Sequence, residues 1–202
     1  MSRDWLKRRF ARSAASPGRV GRVRGDHDLN PGLRARKPLR RAAVLVPLVA
    51  RRAGPCVLLI QRPSRMAEHP GEICFPGGKV APEDVDTRAT ALREASEEVG
   101  LCTSQVDVLG QLDDQEVRSG YLVTPVVGVV DAPLALTLNH GEVADVFEIP
   151  LGFVLEGGNH RKQRRHDGHS EWMFYVMEYQ QRTIWGATAS ILVDLSERIA
   201  DA

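Results

Sequence analysis

From Ala42 to Ala50 the chain is almost uninterruptedly apolar and rich in Val and Leu, a pattern that predicts a buried central strand. Pro47 lacks an N–H, so that position needs an irregularity or a free hydrogen-bonding edge. Gly54-Pro55 turns the chain into a second strand, Val57 to Gln61. Ile73 to Phe75 makes a short third strand that stops at Pro76-Gly77-Gly78, where the glycines open a loop. Beyond Pro82 comes the strongest helical signal, Thr87 to Val99. Leu92, Ala95 and Val99, with Ala91, form one apolar stripe at the helical period. Asp86 suits the N-cap and Gly100 the left-handed position past the end. Strand-like segments follow at Val106 to Leu112, Thr124 to Val130, Val146 to Ile149, Met173 to Tyr179 and Thr183 to Trp185. Ile191, Leu192, Leu195 and Ile199 then mark a C-terminal helix from Ala187 to Ile199. Strands and helices interleave without regular βαβ alternation. The expected fold class is therefore α/β in the α+β sense, a mixed sheet packed between helices.

Before Arg41 the pattern changes. Turn formers cluster at Ser16-Pro17-Gly18 and Asn30-Pro31-Gly32, and the apolar residues Trp5, Leu6 and Phe10 suit one short helix near Asp4 to Ser13. This divides the chain into a basic extension, residues 1–40, and a domain over 41–202. The whole protein of 202 residues has a net charge of only +1, yet the first 41 residues carry just Asp4, Asp26 and Asp28 as acids. The remainder is therefore net acidic. Basic residues without interleaved aromatics give at most sequence-independent attraction to a polyanion, so nucleic acid is not the expected partner. The Arg- and Ser-rich start also has the composition of an organelle transit peptide, but a solvated extension in a cytoplasmic protein is the expectation. Cys56, Cys74 and Cys102 lie apart without metal-finger spacing, as reduced thiols do. No apolar run reaches the eighteen residues that would suggest a membrane span.

The chemistry concentrates on the helix. Glu94, Glu97 and Glu98 stand three and four residues apart and share the face opposite the apolar stripe. Like charges at this spacing repel by only about 0.2–0.5 kcal/mol per exposed pair, so a solvated acidic face is one reading. The preceding Gly77-Gly78 supplies another. Glycine lets backbone approach a ligand, and Mg²⁺ takes several oxygen ligands from carboxylates, phosphate and water. Arg93 stands one turn before Glu97 and can orient it.

Phe75-Pro76-Gly77-Gly78 followed by Arg93-Glu94-Ala95-Ser96-Glu97-Glu98-Val99-Gly100-Leu101 resembles the Nudix box, Gly-x5-Glu-x7-Arg-Glu-U-x-Glu-Glu-x-Gly-U with U apolar. The second half matches completely. Between Gly78 and Arg93 there is one residue more than the pattern, so the early acid is Glu83 or Asp84. The flanks, Leu58 to Arg62, Arg65, His69, Gly71, Gly120 to Gly128, Asn159 to Arg161 and Ile184 to Ala189, are similar to those of bacterial coenzyme A diphosphatases, although Ile60-Gln61-Arg62-Pro63 stands where Thr-x-Arg-Ser is usual.

The resemblance implies a Nudix fold, an α/β/α sandwich, and Mg²⁺ or Mn²⁺ held by Glu94, Glu97 and Glu98. It implies hydrolysis of the diphosphate of coenzyme A to 4′-phosphopantetheine and adenosine 3′,5′-bisphosphate, or of a related substrate such as NADH, ADP-ribose or an oxidised dNTP. A Nudix domain that only binds ligand or RNA is a further reading, but such domains commonly lose the box glutamates. Arg93 and Glu97 belong to the catalytic set, and a homodimer is compatible with the family. A general base is also needed. Glu142, just before the strand at Val146, is the preferred candidate, with Glu97 and Glu116 as alternatives. Arg62 and Arg65 are candidate phosphate ligands and Gly77 and Gly78 line the substrate.

Other residues have plainer readings. The cluster His160, Arg161, Lys162, Arg164, Arg165 and His166 reads as a solvated basic loop, with a 3′-phosphate as an alternative ligand. His69 reads as a structural hydrogen-bonding group, Cys74 as a small buried residue, and Trp185 and Tyr121 as packing rather than base-stacking groups.

Overall fold

A computed structural model describes residues 3–14, 22–35, 37–66, 68–166 and 171–200; the Ser16-Pro17-Gly18 turn lies outside the described residues. In chain order the elements are α1 (Arg3–Ala14), β1 (Val23–Gly25), β2 (Arg40–Ala50), β3 (Cys56–Gln61), β4 (Ile73–Cys74), β5 (Gly77–Lys79), α2 (Thr87–Val99), β6 (Asp107–Gln111), β7 (Asp114–Val117), β8 (Tyr121–Asp131), β9 (Asp145–Pro150), α3 (Leu151–Leu155), β10 (Arg161–His166), β11 (Glu171–Tyr179), β12 (Arg182–Trp185) and α4 (Gly186–Ala200). Among the described residues, nine strands form one mixed sheet in the order β1-β7-β8-β2-β3-β4, with β5 beside β2, β6 beside β8 and β9 beside β3. A second, antiparallel sheet runs β10-β11-β12.

β2 is the spine. It pairs parallel with β8 over its whole length, while its other edge pairs first with β5 through Val44 and then with β3 from Leu48. Pro47 lies between those two pairings. Leu45 donates toward the β5 side, to the Pro76 carbonyl, so by the period of two the missing N–H of Pro47 faces the same gap. The proline costs the ladder nothing there. The period also sorts the core into two layers. Ala43, Leu45 and Val49 of β2 meet Ala91, Ala95 and Val99 of α2, whereas Val46 and Leu48 meet α4 through Leu192 and Leu195. Helices thus cover both faces of the sheet, as expected. Leu6 and Phe10 of α1 are each only 2% exposed and join the α4-side layer.

Two differences from the sequence reading stand out. Gly77 and Gly78 are not a loop but part of β5, because Ala43 and Val44 offer them ladder partners. Arg161 to His166 is not a loop either; it is a fully exposed edge strand held by β11. Residues this polar form a strand only because one edge is paired, with no burial to encode in the sequence. β1, β7 and α3 are also short or polar elements that periodicity missed. No helix among the described residues is long and apolar enough to cross a membrane.

A buried ionic group ties the N-terminal segment to α4. Arg24 of β1 reaches Asp113 at 3.1 Å and Asp194 at 3.4 Å, and also bonds Glu197. Asp194 accepts the Asp113 N–H at 3.0 Å. Burial, outweighing Arg24, pushes the Asp194 carboxyl up to about 6. Because the folded value lies above the ordinary one, this group favours the folded state below about pH 4, and that contribution is lost as pH rises through about 6. Asp194→Asn cannot titrate. Thermal melts from about pH 7 down to about pH 4 are therefore expected to show the native protein gaining stability relative to the variant; parallel profiles would mean that Asp194 is ionised throughout.

Candidate functional site

The helix α2 is held at both ends by the residues its sequence predicts. The Asp86 side chain accepts the Ala89 N–H at 2.7 Å, and Gly100 takes φ 68° and returns its N–H to Ser96. The apolar stripe docks on β2, which brings the acidic edge of the helix beside β5.

Here the three glutamates separate into different environments. Glu98 is only 2% exposed, which rules out a solvated face for it, and accepts the Gly77 N–H at 2.9 Å. Burial raises its carboxyl to about 7, Glu94 and Glu142 add to that, and the Gly77 bond and Arg62 oppose it. The Glu94 carboxylate lies against the backbone of Gly78; a Cβ there would stand 2.5 Å from its Cδ. Burial raises the Glu94 carboxyl also, against the Arg93 bond. Glu97 is largely exposed and accepts Arg93 Nη1 at 3.1 Å. Among the described residues no three acidic, thiol or imidazole groups converge tightly enough to hold an ion as they stand: Glu98 is turned to the Gly77 N–H, whereas Glu94 and Glu97 share Arg93 Nη1.

Arg93 is the organiser. Its Nε and Nη2 donate to both oxygens of Asp84, at 3.0 and 2.8 Å, and Nη1 reaches Glu94 at 2.9 Å as well as Glu97. Asp84 accepts further bonds from the Ala81 N–H and the Thr90 hydroxyl. The Arg93 guanidinium, before these, holds the Asp84 carboxyl well below the usual carboxylate range. Asp84, and not the exposed Glu83, therefore takes the place of the early acid, and its work is to fix Arg93.

The other candidates fall on both sides of the molecule. Glu142 bears electrostatically on Glu94 and Glu98, whereas Glu116 accepts the Ala35 N–H from β7 near the far edge of the sheet. Arg62 bears on Glu98 and on Cys74. Its Nε is buried without a hydrogen-bond partner. Arg65 is exposed and donates to the His140 carbonyl at 2.6 Å. His69 pairs with Glu72 at 2.8 Å. Burial, then Glu98, pushes the Cys74 thiol up to about 12, so it is no nucleophile. All three cysteines are unpaired. His160 bonds the Val154 carbonyl. Trp185 packs edge-on to Phe174, and Tyr121 lies under the Arg40 guanidinium at 4.1 Å. Asn139, which meets both Glu98 and Glu142, was not singled out from sequence, although a turn former two residues before Gly141 was a usable signal.

A sheet between helices, with a glycine strand set against a glutamate-bearing helix, defines the class: the chain belongs to the Nudix family, whose domain matches residues 39–175, and is a Nudix hydrolase. It is 41% identical over 161 residues to the proteins named "Uncharacterized Nudix hydrolase NudL" of Yersinia pestis (strain Pestoides F) and Yersinia pseudotuberculosis serotype O:1b (strain IP 31758), across 80% of this chain and 80% of theirs. A MutT/nudix family protein from Enterococcus faecalis shares the fold at TM-score 0.50 and 17% identity, covering 100% of this chain and 75% of that one.

Nudix hydrolases generally work with divalent metal ions, and the carboxylates beside β5 are the oxygen donors that such an ion takes. Glu94 and Glu98 are acidic groups drawn into a partly buried corner where their charges oppose one another, and the missing side chain of Gly78 leaves the room that Glu94 occupies. Gly78→Ala is expected to displace Glu94, since the clash falls on the far end of a flexible side chain. An approximate 1 Å displacement costs about 10²-fold in kcat, with little loss of Tm. At Gly77 a Cβ would instead meet backbone, 2.5 Å from the Ala43 carbonyl, so Gly77→Ala should lower Tm clearly. Equal Tm losses for the two variants would contradict this division.

Proposed function

We propose that this Nudix hydrolase cleaves the diphosphate of coenzyme A or its derivatives, yielding 4′-phosphopantetheine and adenosine 3′,5′-bisphosphate. The observation that carries the reading is Arg62: a half-buried side chain beside Glu98 whose Nε is itself buried and has no hydrogen-bond partner. A buried donor left unmatched is costly, and a phosphate oxygen arriving next to the carboxylates would match it. Arg62 belongs to the stretch, Leu58 to Gly78, that resembles coenzyme A diphosphatases, and this supports coenzyme A over other diphosphates.

Glu94, Glu97 and Glu98 would hold Mg²⁺ or Mn²⁺, which supplies charge neutralisation at the diphosphate and a more acidic water. Glu142 takes the proton of the attacking water. Arg93 orients Glu94 and Glu97 from its anchor on Asp84. Arg62 holds a phosphate within the site, and Arg65, with donors to spare beyond its His140 bond, holds one at the rim. The substrate partner is thus a nucleoside diphosphate derivative in the cytoplasm, with no membrane or nucleic acid required. A homodimer is consistent with this reading; within one chain, the described helix α1 joins the folded unit through Leu6 and Phe10.

The test is product analysis with coenzyme A, ADP-ribose, NADH and an oxidised dNTP, each with Mg²⁺ or Mn²⁺. Coenzyme A is expected to turn over fastest, with the two products named above. Equal or faster turnover of ADP-ribose or the dNTP would overturn the coenzyme A assignment and leave a Nudix hydrolase of another diphosphate.

A further inference from the structure

The loop between β8 and β9 is tied to the last turn of α2. The Thr137 and Asn139 N–H groups donate to the carbonyls of Val99 and Glu98, each at 2.9 Å, and so match two acceptors that a helix end leaves open. Asn139 is the hub of that loop. Its carbonyl accepts the N–H groups of Glu142 and Val143, at 2.9 and 2.8 Å. Its Oδ1 accepts the Gly141 N–H at 3.0 Å, and its Nδ2 donates to Glu142 Oε1 at 3.1 Å. One residue is therefore bonded to the backbone of Glu98 and to the side chain of Glu142 at once. On the other side of the loop, Arg65 holds the neighbouring His140 carbonyl.

We propose that Asn139 is a positioning residue that sets the Glu142 carboxylate against the α2 glutamates, through its Nδ2 donor. The proposal rests on the reading of Glu142 as the general base and deepens it. An exposed glutamate loses rotamer freedom when it is fixed. A donor that engages one carboxylate oxygen offsets part of that cost and leaves the second oxygen free to take a proton. Because Asn139 is anchored on the Glu98 carbonyl, the base and the helix carboxylates share one frame.

The experiment is a double-mutant cycle on the full chain with Mn²⁺, assayed on coenzyme A, or on ADP-ribose should coenzyme A not turn over. Asn139→Asp keeps the acceptor for Gly141 and every backbone bond but replaces the donor facing Glu142 by an oxygen. Asn139→Ser keeps a short acceptor and cannot reach Glu142, and serves if the first variant folds poorly. Either is expected to lower kcat by about 10–100-fold with KM changed by less than about twofold. Glu142→Gln should lower kcat at least as far, and the double variant should be no slower than Glu142→Gln alone, since nothing is left to position. Wild-type kcat in both Asn139 variants, or losses that multiply in the double variant, would overturn the proposal. If Glu142→Gln itself has wild-type kcat, the general-base reading fails first and takes the proposal with it; an impaired Glu142→Gln beside unimpaired Asn139 variants sinks the positioning role alone.

Discussion

Glu98→Gln is expected to lower kcat by on the order of 10³-fold, about 4 kcal/mol of transition-state stabilisation, while Tm stays level or rises. The two halves of this expectation come from the same environment. Glu98 is only 2% exposed and sits beside Glu94 and Glu142, so its charge is expensive to keep and its carboxyl is raised to about 7. An amide of the same shape still accepts the Gly77 N–H through its oxygen but carries no charge to desolvate. A residue whose neutralisation relieves the fold and stops turnover is one kept for function at the expense of stability. Steady-state kinetics and a thermal melt on the same preparation check both halves. A Tm that falls together with kcat would mean that Glu98 acts as a structural acid.

Arg24→Ala is expected to give the largest stability loss, about 3–5 kcal/mol, against a total of about 5–15 kcal/mol for a typical domain. Asp113 and Asp194 are almost fully buried, and without the guanidinium between them the cation left facing that pair among the described residues is Arg198, 3.9 Å from Asp113. Unpaired buried charge is the costly outcome. Urea unfolding near pH 7.5 should show a lower midpoint with an unchanged slope. The deficit should narrow as the pH is brought below about 6, where protonation of Asp194 removes part of the unpaired charge. A loss under about 1 kcal/mol would mean that the N-terminal segment depends little on this ionic group. The residue lies outside the 39–175 match, so the test also shows how far residues ahead of the Nudix domain are part of its fold.

The parts of the fold legible in the sequence are those with a strong period or a distinctive terminal residue. β2 was visible as an apolar run and α2 as a stripe between an Asp cap and a left-handed glycine. The parts that were not legible owe their form to partners distant in sequence. β10 is six exposed polar residues and exists because β11 lies beside it; β1 is three residues laid along β7. The glycine pair could be linked to the glutamates from spacing, but its strand character follows from β2 across the ladder. In the site, the box pattern left Glu83 and Asp84 equivalent; geometry separates them, because only Asp84 presents both oxygens to the Arg93 fork. Asn139 was hidden because its importance lies in what its loop touches, Glu98 and Glu142, and not in any residue spacing.

The central claim, that Glu94 and Glu98 grip a divalent cation beside the substrate, is tested most directly by Mn²⁺ binding followed by electron paramagnetic resonance. The native protein is expected to take up Mn²⁺ stoichiometrically, with affinity falling at least about 10-fold in Glu94→Gln and in Glu98→Gln while both variants remain folded. Undiminished Mn²⁺ affinity in both folded variants would contradict the account.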